Sequence, residues 1–214
     1  MSSHRFALGA FCLSAFLLTS PRGFGQALTN ASFESGMAGW ETFGEGWRTS
    51  GSASETDSDA HSGTLGLVND VKENDKDEWR GVTQAVEAKR GMLYSASAWI
   101  RTLNAKNAEC FLEFQFVDKD GKIISFQQSE PVTEDQPFTQ LHIGPVEPPK
   151  LTRTLLLRGI VHVTKQADAD TDFFIFDDFE LSVTNKSSKS KSDGKTISRA
   201  DRIRQSQRSR ETGL

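Results

Sequence analysis

The stretch Phe173-Phe174-Ile175-Phe176-Asp177-Asp178-Phe179-Glu180-Leu181 is the last apolar run before the chain becomes polar. It is rich in aromatic residues and too short for a typical helix, so it predicts a β-strand. Because side chains alternate between the two faces of a strand, the core face is expected to carry Phe173, Ile175, Asp177, Phe179 and Leu181. An inward Asp177 would need a cation, a metal or backbone donors as its partner. The alternative is an Asp177 at a sheet end, where it is solvated or caps a loop.

Alternating apolar residues and turn signals divide the preceding chain into further short strands. The clearest alternation, over residues 109–117, places Leu112, Phe114 and Phe116 in the core, and residues 118–121 predict a hairpin turn after it. The other candidate strands are 31–34, 47–49, 64–68, 79–86, 91–101, 122–128, 137–143 and 154–163. No segment has the pattern of an amphipathic helix. The sequence therefore predicts an all-β fold, an antiparallel β-sandwich.

The first 27 of the 214 residues have the features of a secretory signal peptide. They contain no acid, and His4 and Arg5 precede an apolar run that ends at Leu18. Small residues at 25 and 27 predict cleavage after Ala27. The apolar run is short for a membrane span, although an uncleaved anchor is the alternative. We therefore expect a protein without a membrane span that is secreted to the periplasm or the extracellular space.

Charge separates the remaining chain into an acidic body and a basic tail. Residues 28–184, the predicted folded domain, carry 26 Asp and Glu against 14 Lys and Arg. This balance argues against nucleic acid as a ligand and suits a cation or a neutral sugar. Residues 185–214 carry nine Lys and Arg, three acids and no aromatic residue, which predicts a disordered basic C-terminal tail. An anionic polymer is a candidate partner for this tail.

The cysteine content excludes a disulfide scaffold. After removal of the signal peptide only Cys110 remains, and one cysteine cannot form an internal disulfide. The sequence also has no Cys/His pattern of a zinc site. Because Cys110 begins an apolar strand, we expect an inert thiol in the core.

Four short motifs resemble the landmarks of one group of binding domains. The sequence Asn-Ala-Ser-Phe-Glu at 30–34, followed by Gly-Trp at 39–40, resembles the opening of carbohydrate-binding modules of families 4, 9 and 22. Residues 61–67 resemble their Ser-Gly turn, residues 91–101 their central strand and residues 176–181 their closing strand. The four motifs occur in the expected order over the whole acidic body. The resemblance implies a galactose-binding-like jelly roll of the kind associated with cellulases and xylanases.

The same resemblance implies a structural calcium ion where the first strand, the Ser-Gly turn and the closing strand meet. Carried over residue by residue, Glu34 and Asp177 would supply carboxylate oxygens. Backbone oxygens near Asn30, Asp59 and Ser62 would complete the six to eight oxygens that calcium prefers. Such an ion would also give an inward Asp177 its partner. The alternative is a hydrogen-bonded Glu34–Asp177 site without metal.

Modules of this group bind sugars in a cleft on one sheet or at the loop tips. Sugar rings stack on aromatic faces while polar side chains bond the hydroxyl groups. Trp79-Arg80-Gly81 resembles the family 22 segment in which a tryptophan contacts xylan. The other candidate ligand-binding residues, on strand faces opposite the core or in an early loop, are Trp99, Arg101, Glu113, Gln115, Trp47 and Arg48. For Trp99 the alternative is packing on the second sheet.

Three classes of function follow from these features. The first is a secreted, non-catalytic module that binds a polysaccharide, a β-glycan. The second is an enzyme, but glycoside hydrolysis needs two carboxylates, and no partner stands out for Glu113. The third is a structural or adhesive sandwich that binds protein or cell wall, since jelly rolls host many functions. Residues 199–204 also resemble the connector before the catalytic barrel of family 10 xylanases, which allows a truncated relative of a modular glycoside hydrolase.

Overall fold

Two five-stranded sheets pack face to face in the computed structural model, which describes residues 27–51, 59–167 and 169–186. The strands are β1 (Glu41–Phe43), β2 (Trp47–Ser50), β3 (Gly66–Val71), β4 (Glu78–Glu87), β5 (Met92–Leu103), β6 (Ala108–Val117), β7 (Ile123–Gln128), β8 (Gln136–Val146), β9 (Thr154–Val163) and β10 (Asp172–Asn185). All paired strands are antiparallel, and no helix occurs in the described ranges. The predicted all-β sandwich is confirmed.

The strand order is that of a jelly roll with one strand added to each sheet. Sheet A has the order β1-β4-β9-β6-β7, and sheet B has the order β2-β3-β10-β5-β8. Strands β3 to β10 form the eight-stranded jelly roll, and β1 and β2 extend one edge of each sheet. The last strand, β10, therefore lies in the middle of sheet B, between β3 and β5.

The core lies between the sheets and follows the predicted alternation. In β6, Leu112, Phe114 and Phe116 are buried against the other sheet, as expected. In β5 the corresponding residues are Tyr94, Ala96, Ala98 and Ile100. Cys110 is fully buried, and burial raises the pKa of its thiol, so the thiol stays protonated.

Residues 31–34 form a turn rather than the predicted strand. The backbone is left-handed at Asn30 (φ 50°) and Phe33 (φ 56°). The Asn30 side chain closes this turn: its amide donates to the carbonyls of Gly36 and Ala38, and its oxygen accepts the N–H of Ser35. A local side-chain bond of this kind competes with strand pairing, so the short apolar pattern was misleading here.

The closing strand changes the face that it turns to the core. Phe174 and Phe176 point into the core, where Phe176 is paired with Ile100 of β5. Asp177 is paired with Trp99 on the outer face of sheet B. The prediction that Phe173, Ile175 and Asp177 face the core is therefore wrong.

A β-bulge accounts for this difference. The register between β10 and β5 shifts between Asp177 and Glu180, and Asp178 has a φ of 46°. One extra residue in a strand reverses the faces of all residues that follow it. Phe179 consequently returns to the core, and Leu181 packs against it, as predicted.

The termini of the sequence extend beyond the described residues. The predicted signal peptide, apart from Ala27, and the predicted tail from residue 187 lie outside them. Lys186 is described, and its N–H donates to the carbonyl of Gly91 at 2.9 Å. In the described ranges there is no helix long and apolar enough to cross a membrane.

The bulge predicts unequal costs for truncating two phenylalanines of β10. Phe179 is 2% exposed and packs on Phe33 and Trp40, with ring centroids 5.9 and 4.8 Å away. Phe179→Ala should lower the free energy of unfolding by about 3–5 kcal/mol, the usual cost of a core Phe→Ala change. Phe173→Ala, on the half-buried outer face, should cost clearly less in the same urea denaturation experiment. Equal losses for the two variants would contradict the change of face.

Candidate functional site

The outer face of sheet A carries a groove whose floor is made of small side chains. In β4, Arg80, Val82, Gln84 and Val86 are buried, so alternate residues face away from the core. Those outward residues are Trp79, Gly81, Thr83 and Ala85. The position next to Trp79, Gly81, is covered by the Phe43 ring, so the floor of the groove begins at Thr83 and Ala85.

Trp79 is held as an aromatic platform by residues of two neighbouring strands. Its side chain is 49% exposed. The indole stacks on the His162 ring, with centroids 3.8 Å apart and planes at 16°, and contacts the Phe111 ring edge-on at 6.1 Å. His162 Nδ1 lies 3.1 Å from Glu109 Oε1, which fixes the imidazole from the next strand. Trp79 thus combines exposed aromatic surface with a fixed orientation.

A polar group occupies the centre of the same face. Arg158 Nη1 donates to Glu113 Oε1 at 2.5 Å, and Gln128 Nε2 donates to Glu113 Oε2 at 2.9 Å. The Arg158 guanidinium also lies 4.6 Å above the Phe43 ring. Phe43 in turn packs on Gly81, where a Cβ atom would overlap its ring. Guanidinium and amide N–H groups beside carboxylate oxygens can bond hydroxyl groups as donors and acceptors.

The groove is a cavity near β1, and Trp79 is not one of the residues that line it. This cavity has a volume of about 340 Å³, and it is lined by Ala27, Thr29, Gly39, Glu41, Thr83, Gln84, Ala85, Val86 and Leu156. On the other side the face continues from Leu156 through Gln115 to Phe126 of β7, which are register neighbours. Phe126 is 61% exposed. The face therefore has exposed aromatic rings at two separate places with polar groups between them.

The structure brings three of the predicted ligand-binding residues to this face: Trp79, Glu113 and Gln115. Arg80 does not join them, because alternation along β4 turns it inward, where it is 1% exposed.

The Arg80 guanidinium instead closes one end of the sandwich. Its Nη2 lies 2.6 Å from Asp75 Oδ2 and 3.0 Å from Glu78 Oε2, and its Nη1 donates to the Asp70 carbonyl at 2.7 Å. Burial alone would lower the pKa of Arg80, but the bonds to Glu78 and Asp75 raise it overall, so the buried cation is retained. The prediction that Arg80 lines a cleft is wrong.

The four other predicted binding residues belong to sheet B, so they cannot share a cleft with those of sheet A. Trp47 packs at the edge of the core, with its ring 6.1 Å from that of Phe176. Arg48 pairs with Asp70 at 3.0 Å. Arg101 and Trp99 are paired with β10. The single cleft predicted from these residues is thus divided between opposite faces of the sandwich.

Trp99 is also covered on one side. The His61 ring stacks on it with centroids 3.9 Å apart and planes at 10°. On this side the Trp99 ring packs against protein and is not open to a ligand.

Sequence reasoning missed several residues of the sheet A face. Arg158 and His162 could have been found, because the apolar alternation of residues 154–163 leaves them on the opposite face. Phe43 and Gln128 could not, because their positions depend on the register of β1 with β4 and of β6 with β7.

The ion pair at the centre of this face predicts a difference between two substitutions of Glu113. The side chains of Glu113 and Arg158 are 8% and 15% exposed. Glu113→Ala leaves a largely buried guanidinium without its partner and should cost about 3 kcal/mol in the free energy of unfolding. Glu113→Gln keeps an acceptor for Arg158 and should cost less. Urea denaturation of both variants measures this, and equal losses would show that the charged partner does not stabilise the fold.

The two carboxylates of the predicted calcium site, Glu34 and Asp177, converge on the turn at 61–65. Glu34 Oε1 accepts the N–H groups of Thr64 and Leu65, both at 2.9 Å, and Glu34 Oε2 accepts the Thr64 hydroxyl at 2.7 Å. These bonds lower the pKa of Glu34, the bond from Leu65 most strongly. The sequence motifs thus located a real junction between the chain's first turn and this later one.

Asp177 approaches the same turn from β10. Its Oδ2 accepts the N–H groups of His61 at 2.8 Å and Ser62 at 3.1 Å, and its Oδ1 accepts the N–H of Asp178 at 2.7 Å. Burial nevertheless raises the pKa of Asp177 to about 6, against the effect of these bonds. Asp177 is fully buried, so the expected need for a partner is met by backbone donors.

The donor types at this junction suit a hard cation, but the carboxylates already accept hydrogen bonds from the turn. In the part of the chain that the structure describes, no group of three or more His, Cys, Asp or Glu side chains is arranged to hold a metal. Backbone oxygens, including those near Asn30, Asp59 and Ser62, would have to supply most ligands. Calcium therefore stays a prediction.

The sequence matches no family model and no curated protein. Solved structures do resemble it. The CBM22-1 xylan-binding domain of Paenibacillus barcinonensis Xyn10C is 21% identical, with a TM-score of 0.51 over 75% of this chain and 96% of that one. The CBM22-1–GH10 modules of Clostridium thermocellum xylanase 10B, complexed with xylohexaose, are 17% identical, with a TM-score of 0.50 over 74% of this chain and 28% of that one.

A protein described in different terms has a similar structure. The Stig cyclase Fisc from Fischerella sp. is 13% identical, with a TM-score of 0.52 over 74% of this chain and 98% of that one. Identities this low show the fold alone. At that level the structural resemblance to carbohydrate-binding modules is confirmed, and the chain has the β-sandwich fold of these structures.

Proposed function

We propose that this protein binds a neutral polysaccharide, a β-glycan, in the groove on the outer face of sheet A. The observation that carries the proposal is the half-exposed Trp79, whose orientation is fixed by stacking on His162 and which lies on the same face as the groove. An oriented aromatic face stacks on the C–H groups of a sugar ring at little cost in side-chain entropy. The similar xylan-binding domain supports the same class of ligand.

The charges of this face favour a neutral ligand. Glu113 is paired with Arg158, and Glu109 lies beside His162, so the guanidinium on this face has an acidic neighbour. The acidic body as a whole repels anionic polymers. Paired charges still offer N–H donors and carboxylate oxygens to hydroxyl groups.

The dimensions of the face suit an oligosaccharide rather than a single sugar. Trp79 of β4 is paired with His162 of β9, which in turn is paired with Glu109 of β6, whereas Phe126 of β7 is paired with Gln115 of β6. Three strand spacings and six residues of strand separate the two rings, which corresponds to about 14 Å across the sheet and about 20 Å along it. A chain of several sugar rings fits between two such platforms.

We propose further that the module has no catalytic role of its own. A glycosidase presents two carboxyl groups to the scissile bond. Here the carboxylates of Glu113 and Glu109 are directed to protein partners instead. Because a cyclase shares the fold, this part of the proposal rests on the site and not on the architecture.

Calorimetric titration of the full chain with soluble xylan, β-glucan and galactan tests the proposal. We expect heat of binding with at least one of them. Trp79→Ala should lower the affinity at least tenfold, because it removes the stacking platform.

Leu151→Ala is the matched control. Leu151 is 82% exposed and precedes β9, whose first residue lies at the end of sheet A opposite Trp79. Its loss should leave the affinity unchanged. If the folded protein binds none of the polysaccharides, the structural or adhesive function becomes the better explanation.

Secretion and a structural calcium ion belong to the same proposal. The signal-like residues 1–27 support export, and a calcium ion held by Glu34 and Asp177 would tie the first turn and the closing strand to the turn at 61–65. When bound, the ion would supply positive charge to two carboxylates. It would stabilise the fold without taking part in ligand binding.

The pH dependence of stability provides a test for this ion. Asp177 has a pKa of about 6 in the fold and 3.8 as its ordinary value, so the metal-free fold holds the proton more tightly. The contribution of Asp177 to the free energy of unfolding is present below pH 4 and is lost as the pH rises through about 6. Bound calcium favours the ionised form and should remove that loss.

Thermal unfolding after dialysis against EDTA, with and without added calcium chloride, measures the effect. We expect calcium to raise the melting temperature at pH 7, and to raise it less at pH 4. Asp177→Asn should respond to calcium much more weakly. Identical melting curves with and without calcium at pH 7 would argue against the ion.

A further inference from the structure

The outer face of sheet B, on the opposite side of the sandwich, carries a second groove. It has a volume of about 260 Å³ and is lined by Ser95, Ala96, Ser97, Gln140, His142, Glu180 and Ser182. We propose that this groove is a second sugar-binding site, which takes one neutral, hydroxyl-rich sugar unit. This goes beyond the proposed function, because the site is separate from the groove on sheet A.

The floor of this groove is formed by adjacent serines. Ser182 of β10 is paired with Ser95 of β5, and Glu180 is paired with Ser97. Small side chains on neighbouring strands leave a depression between the larger residues of the flanking positions. The floor is also polar, since three hydroxyl groups can each donate and accept a hydrogen bond.

The walls add a carboxylate, an amide and an imidazole. Gln140 and His142 stand on β8, beside Trp99 and Ser97 respectively. Gln140 Nε2 donates to the Ser97 hydroxyl at 3.2 Å, which orients both groups. Glu180 is exposed, and within the described part of the chain no protein group donates a hydrogen bond to its carboxylate.

An aromatic cluster lies beyond one end of the groove. Trp99 follows Ser97 on the same face of β5, and His61 stacks on it. His61 Nδ1 lies 2.7 Å from Asp178 Oδ2, and the His61 ring also contacts Phe138 with centroids 5.4 Å apart. The cluster is therefore fixed to the bulge of β10 and lies on the same outer face as the polar floor, one outward position beyond Ser97.

This combination selects the chemical class of the ligand. A carboxylate accepts hydrogen bonds from two adjacent hydroxyl groups, while serines and the amide bond the remaining ones. An acidic sugar is disfavoured, because its charge would lie against Glu180.

Two sites on opposite faces would make each molecule bivalent. The outer faces of sheets A and B point away from each other, so one glycan chain on each face can be bound at the same time. Such a protein bridges polysaccharide chains, and its apparent affinity for a long polymer exceeds that of either site.

Amide chemical shifts of the full chain can separate the two sites. Titration with xylohexaose, cellohexaose and β-1,4-galactotriose, each used alone, should move the signals of Ser97, Gln140 and Glu180 in a saturable way with at least one of them. Trp79→Ala should leave this response unchanged. Signals that move only on sheet A would overturn the second site and support the first. Signals that move only on sheet B would support the second site and overturn the first.

Ser182→Leu fills the groove from an exposed strand position and should weaken this response at least tenfold. Thr184→Leu places the same side chain two residues further along β10 and should change it less than twofold. Wild-type protein should also make long soluble xylan or galactan turbid, and either Trp79→Ala or Ser182→Leu should abolish the turbidity. If Ser182→Leu binds as well as wild type, or if no oligosaccharide moves the sheet B signals, the proposal is wrong.

Discussion

The Asp177 carboxylate at the bulge of β10 is the constraint on which most of the structure depends. It is buried, and it is accommodated because three backbone N–H groups point at it. Two of these donors, from His61 and Ser62, fasten the turn at 61–65 to the outer face of sheet B. The same bulge shifts the strand by one residue, so that Phe179 can join the core. One local irregularity thus fixes both a loop and the face of the closing strand.

The sequence predicted the regular parts of the fold well and the irregular parts poorly. Strong alternation, as in Leu112, Phe114 and Phe116, has one structural solution, and the structure adopts it. The prediction that Phe173 faces the core was wrong because a bulge leaves no periodic signal in the strand itself. A turn closed by the side chain of Asn30 was likewise mistaken for a strand. In both places a polar side chain that bonds the local backbone overrode the apolar pattern.

For the site, the sequence predicted only which face of its own strand a residue occupies. Trp79 could be placed because its neighbours Val82 and Val86 define the core face of the same strand. The partners that orient Trp79, above all His162, come from another strand, and which strand lies beside it is a matter of topology. The candidate residues therefore separated onto two sheets as soon as the strand order was known. A list of exposed aromatic and polar residues does not distinguish one cleft from two.

The central position of β10 has a consequence for when the protein can fold. Strands β3 and β5 do not pair with each other, because β10 lies between them and is the last of the ten in the sequence. Sheet B therefore cannot close until residues 172–185 have left the ribosome. Loop closure over such separations is slow, and apolar strands such as β5 remain uncovered meanwhile. Sheet B, and with it the sandwich, is therefore completed only by the last strand, after the other nine have been synthesised.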